Sequence, residues 1–211
     1  MSNMTNKKTA VHARVADSKT ASADTESMNS VLVALVSVLN AAGTELGVDH
    51  ISPKAVQSSI AQILGRSVLC SMATVGGGVH AHINTAYFSF SSDFEIFFLS
   101  HPNFEHARNL AANSSMAVAV FSSNQKWTGP DRGLQFFGTC NQLTGRHARR
   151  AEASYGARFR EYTEWKSSLK PNDVAREYAF YRFVPRRIKV FDEAAFGEAV
   201  FVTAIVDEIP K

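Results

Sequence analysis

The stretch 98-FLSHPNFEHARNL-110 gathers Ser100, His101, His106 and Arg108 within nine residues. A hydrophobic strand is expected to end at Leu99-Ser100, Pro102 to open a turn, and a helix to begin near Phe104-Glu105-His106. A helix start placed there exposes unpaired backbone N–H groups and the positive end of the helix dipole, which suits an anion such as a phosphate. Ser100 and His106 would add side-chain donors. Plain capping by Ser100 or Asn103, with Phe104 and Leu110 in the core, is the competing reading. A second pair, His80 and His82, alternates along one predicted strand and so shares a face, as two metal ligands would. No third ligand lies near them in sequence, and half-buried strand histidines are the commoner outcome.

Other chemistries lack an anchor. Gly76-Gly77-Gly78 links two strand-like segments and opens no helix, so it reads as a hairpin turn, not a nucleotide fingerprint. There is no HExxH, CxxC or GxSxG pattern. Cys70 and Cys140 sit in apolar segments far apart, as reduced core thiols of a cytoplasmic protein would. From Arg146 to Lys189 twelve cations face five carboxylates, although the whole chain carries only +3. A solvated helix face explains most of that charge. Arg186 and Arg187, beside the strand-breaking Pro185, are the candidates for steering an anionic substrate.

The elements that must position these residues follow from periodicity. Ser52-Pro53 predicts an N-cap with proline in the first helical position, and Val56, Ile60 and Ile63/Leu64 recur at helical spacing behind it. Beyond Arg66 the period changes to short β-branched or aromatic runs: 67–75, 79–90, 94–100, 115–122, 133–143, 178–190 and 199–206. Helices are expected near 102–113 and 145–166. With no regular alternation of strand and helix, the pattern predicts a mainly β (α+β) fold, an antiparallel barrel with a few short helices. The run 31-VLVALVSVLNAA-42 is too short to span a bilayer and reads as a buried helix or an interface element, so that 31–211 forms a single domain with N-terminal helices. Residues 1–30 have few large apolar side chains and are expected to form a disordered tail. At 211 residues, 45% hydrophobic and 19% charged, the chain can bury a sizeable core, and its fifteen Phe suit one. The mild basicity argues for neither nucleic acid nor a membrane as partner.

The order of 71-SMATV-75, 82-HINTAYF-88, 98-FLSHPNFEHARNL-110, 127-WTGPDRGLQFFGTC-140 and 178-YAFYRFVPRRIKVF-191 resembles the flavin-binding split-barrel proteins related to pyridoxamine 5'-phosphate oxidase. The resemblance covers roughly residues 53–192. It implies a six-stranded antiparallel split β-barrel, a homodimer with FMN at the subunit interface, and an oxidoreductase passing hydride between flavin N5 and a small-molecule substrate. The flavin phosphate would meet His82, Asn84, Thr85, Leu99, Ser100 and His106, with Arg108 and Lys126 as further cations. The neighbouring subunit's strand, here Trp127, Arg132 and Gln135, would approach the flavin. The oxidase pattern usually has arginine at Asn84 and lysine at His106, so phosphate binding would lean on backbone N–H groups, the Ser100 and Thr85 hydroxyls and a His106 that can be protonated. The substrate-holding tryptophan-and-arginine pattern of the true oxidase is not recognisable after Tyr178. A second branch of this fold binds heme, for which His82, His101 or His106 would be the ligand, and a non-catalytic flavin-storage protein is a third outcome.

Overall fold

The computed structural model describes residues 33–47, 51–77 and 80–206. The expected tail at 1–30 lies outside them.

Eight antiparallel strands occur among the described residues: β1 (Val33–Asn40), β2 (Leu69–Gly76), β3 (His80–Phe90), β4 (Ile96–Ser100), β5 (Ser115–Phe121), β6 (Arg132–Gln142), β7 (Ala179–Asp192) and β8 (Val200–Val206). Strands β7-β4-β3-β2-β5-β6 are joined in that order, and β6 pairs back onto β7 along its length, closing a ring of six. This is the split-barrel arrangement, with β8 and β1 added outside the ring along the C-terminal half of β7. Closure removes most free sheet edges and leaves an interior to be filled by side chains. Phe88, Phe98, Phe136 and Phe183 fill it, all fully buried. Phe97 faces the other way and joins Leu143, Ala151, Tyr155 and Phe180 in a second cluster.

Within the run at 31–42, Val33–Asn40 form strand β1, not a helix. Pairing with β8 from Val33↔Val206 to Asn40↔Val200 satisfies its backbone, and periodicity cannot separate a short apolar strand from a short apolar helix.

Helix α1 (Pro53–Arg66) starts as its sequence predicts: Ser52 Oγ accepts from the Ala55 N–H at 3.2 Å, and Val56, Ile60, Ile63 and Leu64 are buried. Helix α2 (Glu105–Ala112) follows β4. The stretch expected as one helix near 145–166 is two, α3 (Gly145–Arg158) and α4 (Glu161–Ser168), separated at Phe159-Arg160. A 3-10 turn, Val174–Glu177, leads into β7, and the short α5 (Glu193–Phe196) joins β7 to β8. No described helix is long and apolar enough to cross a membrane.

Candidate functional site

Strand β3, the end of β4 and the start of α2 converge because β4 pairs with β3 and the chain turns directly from Ser100 into α2. The cavity they open is about 620 Å³, within the range that receives cofactors. Asn84, Thr85, Leu99, Ser100 and His106 all line it, so five of the expected site residues come together. The opposite wall is mainly aromatic: Tyr155 from α3, Phe159 just after it, Tyr162 and Trp165 from α4, and Tyr178 ahead of β7, with Glu161 at the start of α4 as its one carboxylate. Tyr155, Phe159 and Tyr162 meet edge-on or tilted at 4.7 to 5.3 Å between centroids, a rigid apolar surface. Burial holds the Tyr155 hydroxyl up at about 12, so it stays a neutral phenol at physiological pH.

Ser100 and His106 form the polar floor. Their Oγ and Nε2 atoms lie 2.6 Å apart in a buried hydrogen bond. His106 is 5% exposed, and burial, helped by neighbouring His82, pushes its pKa below the usual histidine value. Desolvation thus disfavours the imidazolium on which phosphate binding was expected to lean, and the pair is a neutral one at pH 7. Below the unfolded value of about 6.5 the unfolded chain binds a proton that the folded chain resists. Stability is thus expected to be fully present above that pH and to fall as pH drops through it. Urea midpoints of the protein and His106→Gln between pH 7.5 and 5.5 check this, since the variant should lose part of the slope.

Helix α2 has no side-chain cap. Phe104 occupies the N-cap position, and Ser100, expected as a cap, is committed to His106 instead. First-turn N–H groups of α2 thus remain without side-chain acceptors, next to the Ser100 hydroxyl.

The other histidines are placed as follows. His82 stacks on His106 at 6.3 Å between centroids, and its Nδ1 lies 3.4 Å from Glu105 Oε1. His101 Nδ1 accepts from the Asn103 N–H at 3.0 Å, which fixes the proton on Nε2, 3.2 Å from Glu177 Oε2. Both its nitrogens are engaged, so ligation of iron by His101 would have to break one of these contacts. No group of three metal-ligating side chains occurs among the described residues.

Several expected cations lie elsewhere. Arg108 Nη1 donates to the Asn103 carbonyl and does not line the cavity. Lys126 and Arg132 line a second cavity, and Gln135 lies in a shallow groove on the outer sheet face with Ile83 and Phe137. Trp127 is 99% exposed. Pro185 does not break β7: the strand continues with a bulge, Arg187 stacks on Phe137 at 4.5 Å, and neither Arg186 nor Arg187 borders the aromatic cavity. What sequence reasoning missed is the aromatic wall, whose signal was the spacing of Tyr155, Phe159 and Tyr162 at i, i+4 and i+7 on a segment read for its charge.

The sequence profile of pyridoxamine 5'-phosphate oxidase matches residues 56–191, spanning the ring of strands and the cavity. The chain belongs to the pyridoxamine 5'-phosphate oxidase family. Solved structures share the family fold at low identity. The conserved hypothetical protein Rv2991 of Mycobacterium tuberculosis aligns with TM-score 0.57 and 16% identity over 80% of this chain and 98% of its own. HutZ, the heme storage protein of Vibrio cholerae, aligns with TM-score 0.52 and 18% identity over 71% of this chain and 95% of its own. Protein Atu2129 of Agrobacterium tumefaciens, of unknown function, gives TM-score 0.50 and 19% identity over 61% of this chain, which spans 52% of that protein's length. No curated protein matches the sequence.

Proposed function

We propose that the protein is an FMN-dependent oxidoreductase of the split-barrel class, working as a homodimer on a small-molecule substrate. The observation that carries this is the convergence of Ser100, Thr85 and the uncapped start of α2 on one cavity whose far wall is aromatic. That combination fits both ends of FMN. Aromatic walls suit a flat ring system, while backbone N–H groups and hydroxyls suit a phosphate where no cation lines the cavity. When bound, the flavin supplies hydride transfer at its N5. The chain's own residues bind and orient: Ser100 presents its hydroxyl to the phosphate, and neutral His106 sets that hydroxyl's direction through the 2.6 Å hydrogen bond. The aromatic wall excludes water from the ring.

The dimer reading is supported by the outer face of β2, β3, β5 and β6, where the register aligns Ile83, Ala73, Ala117 and Phe137 in one row. Ile83 is 73% exposed there, and an exposed apolar row of this kind suits a subunit interface. A partner would bring its own Trp127 and Gln135 toward this chain's cofactor. Free, buried Cys70 and Cys140 accord with a cytoplasmic setting.

Heme is the second reading, favoured by one feature: with His82 Nδ1 beside Glu105, its Nε2 is left to meet a metal, the usual carboxylate–histidine arrangement. One absorption spectrum separates the two. A flavin band, FMN uptake weakened roughly tenfold by Ser100→Ala, and a light-scattering mass near twice 23.1 kDa are expected. A Soret band on adding hemin, lost in His82→Ala, would transfer the assignment to heme, and absence of flavin uptake would sink the FMN reading.

A further inference from the structure

We propose that the cavity between the C-terminal end of α1 and the β5–β6 loop is a second binding site, separate from the aromatic cavity, for the phosphate monoester of a small molecule. It measures about 490 Å³, more than a bare ion needs, and its walls hold three cations, Arg66, Lys126 and Arg132, and no carboxylate. Asp131, between Pro130 and Arg132, does not line the cavity, and the carboxylates that follow β7 are engaged elsewhere. Asp192 Oδ2 accepts from Ser59 Oγ at 2.7 Å, and its Oδ1 lies 2.9 Å from Arg132 Nε without hydrogen-bond alignment. Glu193 accepts backbone N–H groups of Asp131 and Ala199 at 2.9 and 3.0 Å. Asp192 therefore offsets Arg132, while Arg66 and Lys126 form no ion pair among the described residues, leaving two cations free to meet an anion.

A helix C-terminus normally repels an anion, and an arginine in its last turn normally serves its own carbonyls. Neither holds here. Arg158, arriving from α3, donates through Nη2 to the carbonyls of Leu64, at 2.8 Å, and of Ser67. This screens the negative end of α1 from the cavity and relieves Arg66 of that duty. The loop opposite is held in shape before any ligand arrives: Gln125 Nε2 donates to the Ser122 carbonyl at 3.1 Å, Gln125 Oε1 accepts the Arg132 N–H at 2.5 Å, and the Gly129 N–H donates to the Lys126 carbonyl at 2.9 Å. A loop ordered in advance loses little entropy on binding. Ile63 and Pro130 supply an apolar surface for the organic part of the ester.

The test uses the full chain, titrated with inorganic phosphate and with phenyl phosphate while backbone amide shifts are followed. Saturable shifts at Arg66, Ser67 and residues 124–126 are expected, tighter for phenyl phosphate, and absent with chloride at equal ionic strength. R66Q and K126Q are each expected to weaken binding roughly fivefold, R66K to retain it, and the double variant to lose it. Both side chains are exposed and unpaired, so the melting temperature of each variant should match that of the parent. Saturating FMN, or Trp165→Ala in the aromatic wall, should leave phosphate binding unchanged; a parent protein that takes up no flavin yet binds phosphate would count against the flavin reading and not against this site. No saturable shift, shifts indifferent to R66Q and K126Q, or displacement by FMN would overturn the proposal.

Discussion

Gly138→Ala is expected to unfold the protein at temperatures where the parent is stable. A Cβ built on Gly138 would lie 2.0 Å from the Val184 carbonyl oxygen and 3.0 Å from the Pro185 Cα. Both are backbone atoms of the paired strand, so no side chain can swing aside to make room. The approach is close because β6 and β7 shift register here: Phe137 pairs with Arg187, but Gly138 pairs with Pro185. Pro185 has no N–H to donate, and the bulge carries the ladder past it. Relieving the clash means moving the long β6–β7 ladder that closes the barrel, next to fully buried Phe136 and Phe183. We expect a loss of at least about 4 kcal/mol, a value reserved for such steric lesions. For a chain of this size that lowers Tm by roughly 8–16 °C. Calorimetry checks it; a Tm within error of the parent would show that β7 can yield.

That requirement was illegible in the sequence, where Gly138 is one glycine inside a strand-like run and the partner imposing the constraint lies some forty-five residues away. The same limit explains the other misses. Helix α1 was legible to the residue at its start because capping by Ser52 and the spacing of Val56, Ile60 and Ile63 are local properties. Strand β1 was not, since an apolar run becomes a strand only when a partner such as β8 offers its edge. In the site, the residues from β3, β4 and α2 were found because twenty-odd consecutive residues fold back on themselves. His106 lines the cavity, but that burial disfavours its protonated form could not be read from sequence position. Lys126, Arg132 and Gln135 belong to a different surface of the same chain, and only a second chain would bring such residues to the first cavity.

The second large effect is expected from Arg158→Met. Arg158 ends α3, directly before the Phe159 of the cavity wall, and its guanidinium lies 4.7 and 4.9 Å from the ring centroids of Phe88 and Phe90. Methionine keeps much of the apolar stem but removes the donors to the Leu64 and Ser67 carbonyls. Leu64 and Ser67 are buried, so those carbonyls would lose their side-chain partner with little water to replace it. Against this stands a gain: burying a guanidinium is costly, and burial already lowers the pKa of Arg158. Losing two charge-assisted hydrogen bonds and the ring contacts outweighs that recovery, and we expect a net loss of about 2–3 kcal/mol. Arg150→Met, on an exposed face of the same helix, should change stability by less than about 0.5 kcal/mol and serves as the control. The position also separates the two cavities. Because Arg158 screens the end of α1 on one side and anchors the aromatic wall on the other, its loss should weaken ligand binding at both, whereas R66Q and Trp165→Ala each affect one. Parallel titrations with phenyl phosphate and FMN measure this, and an Arg158→Met protein that melts and binds like the parent would deny the guanidinium both roles.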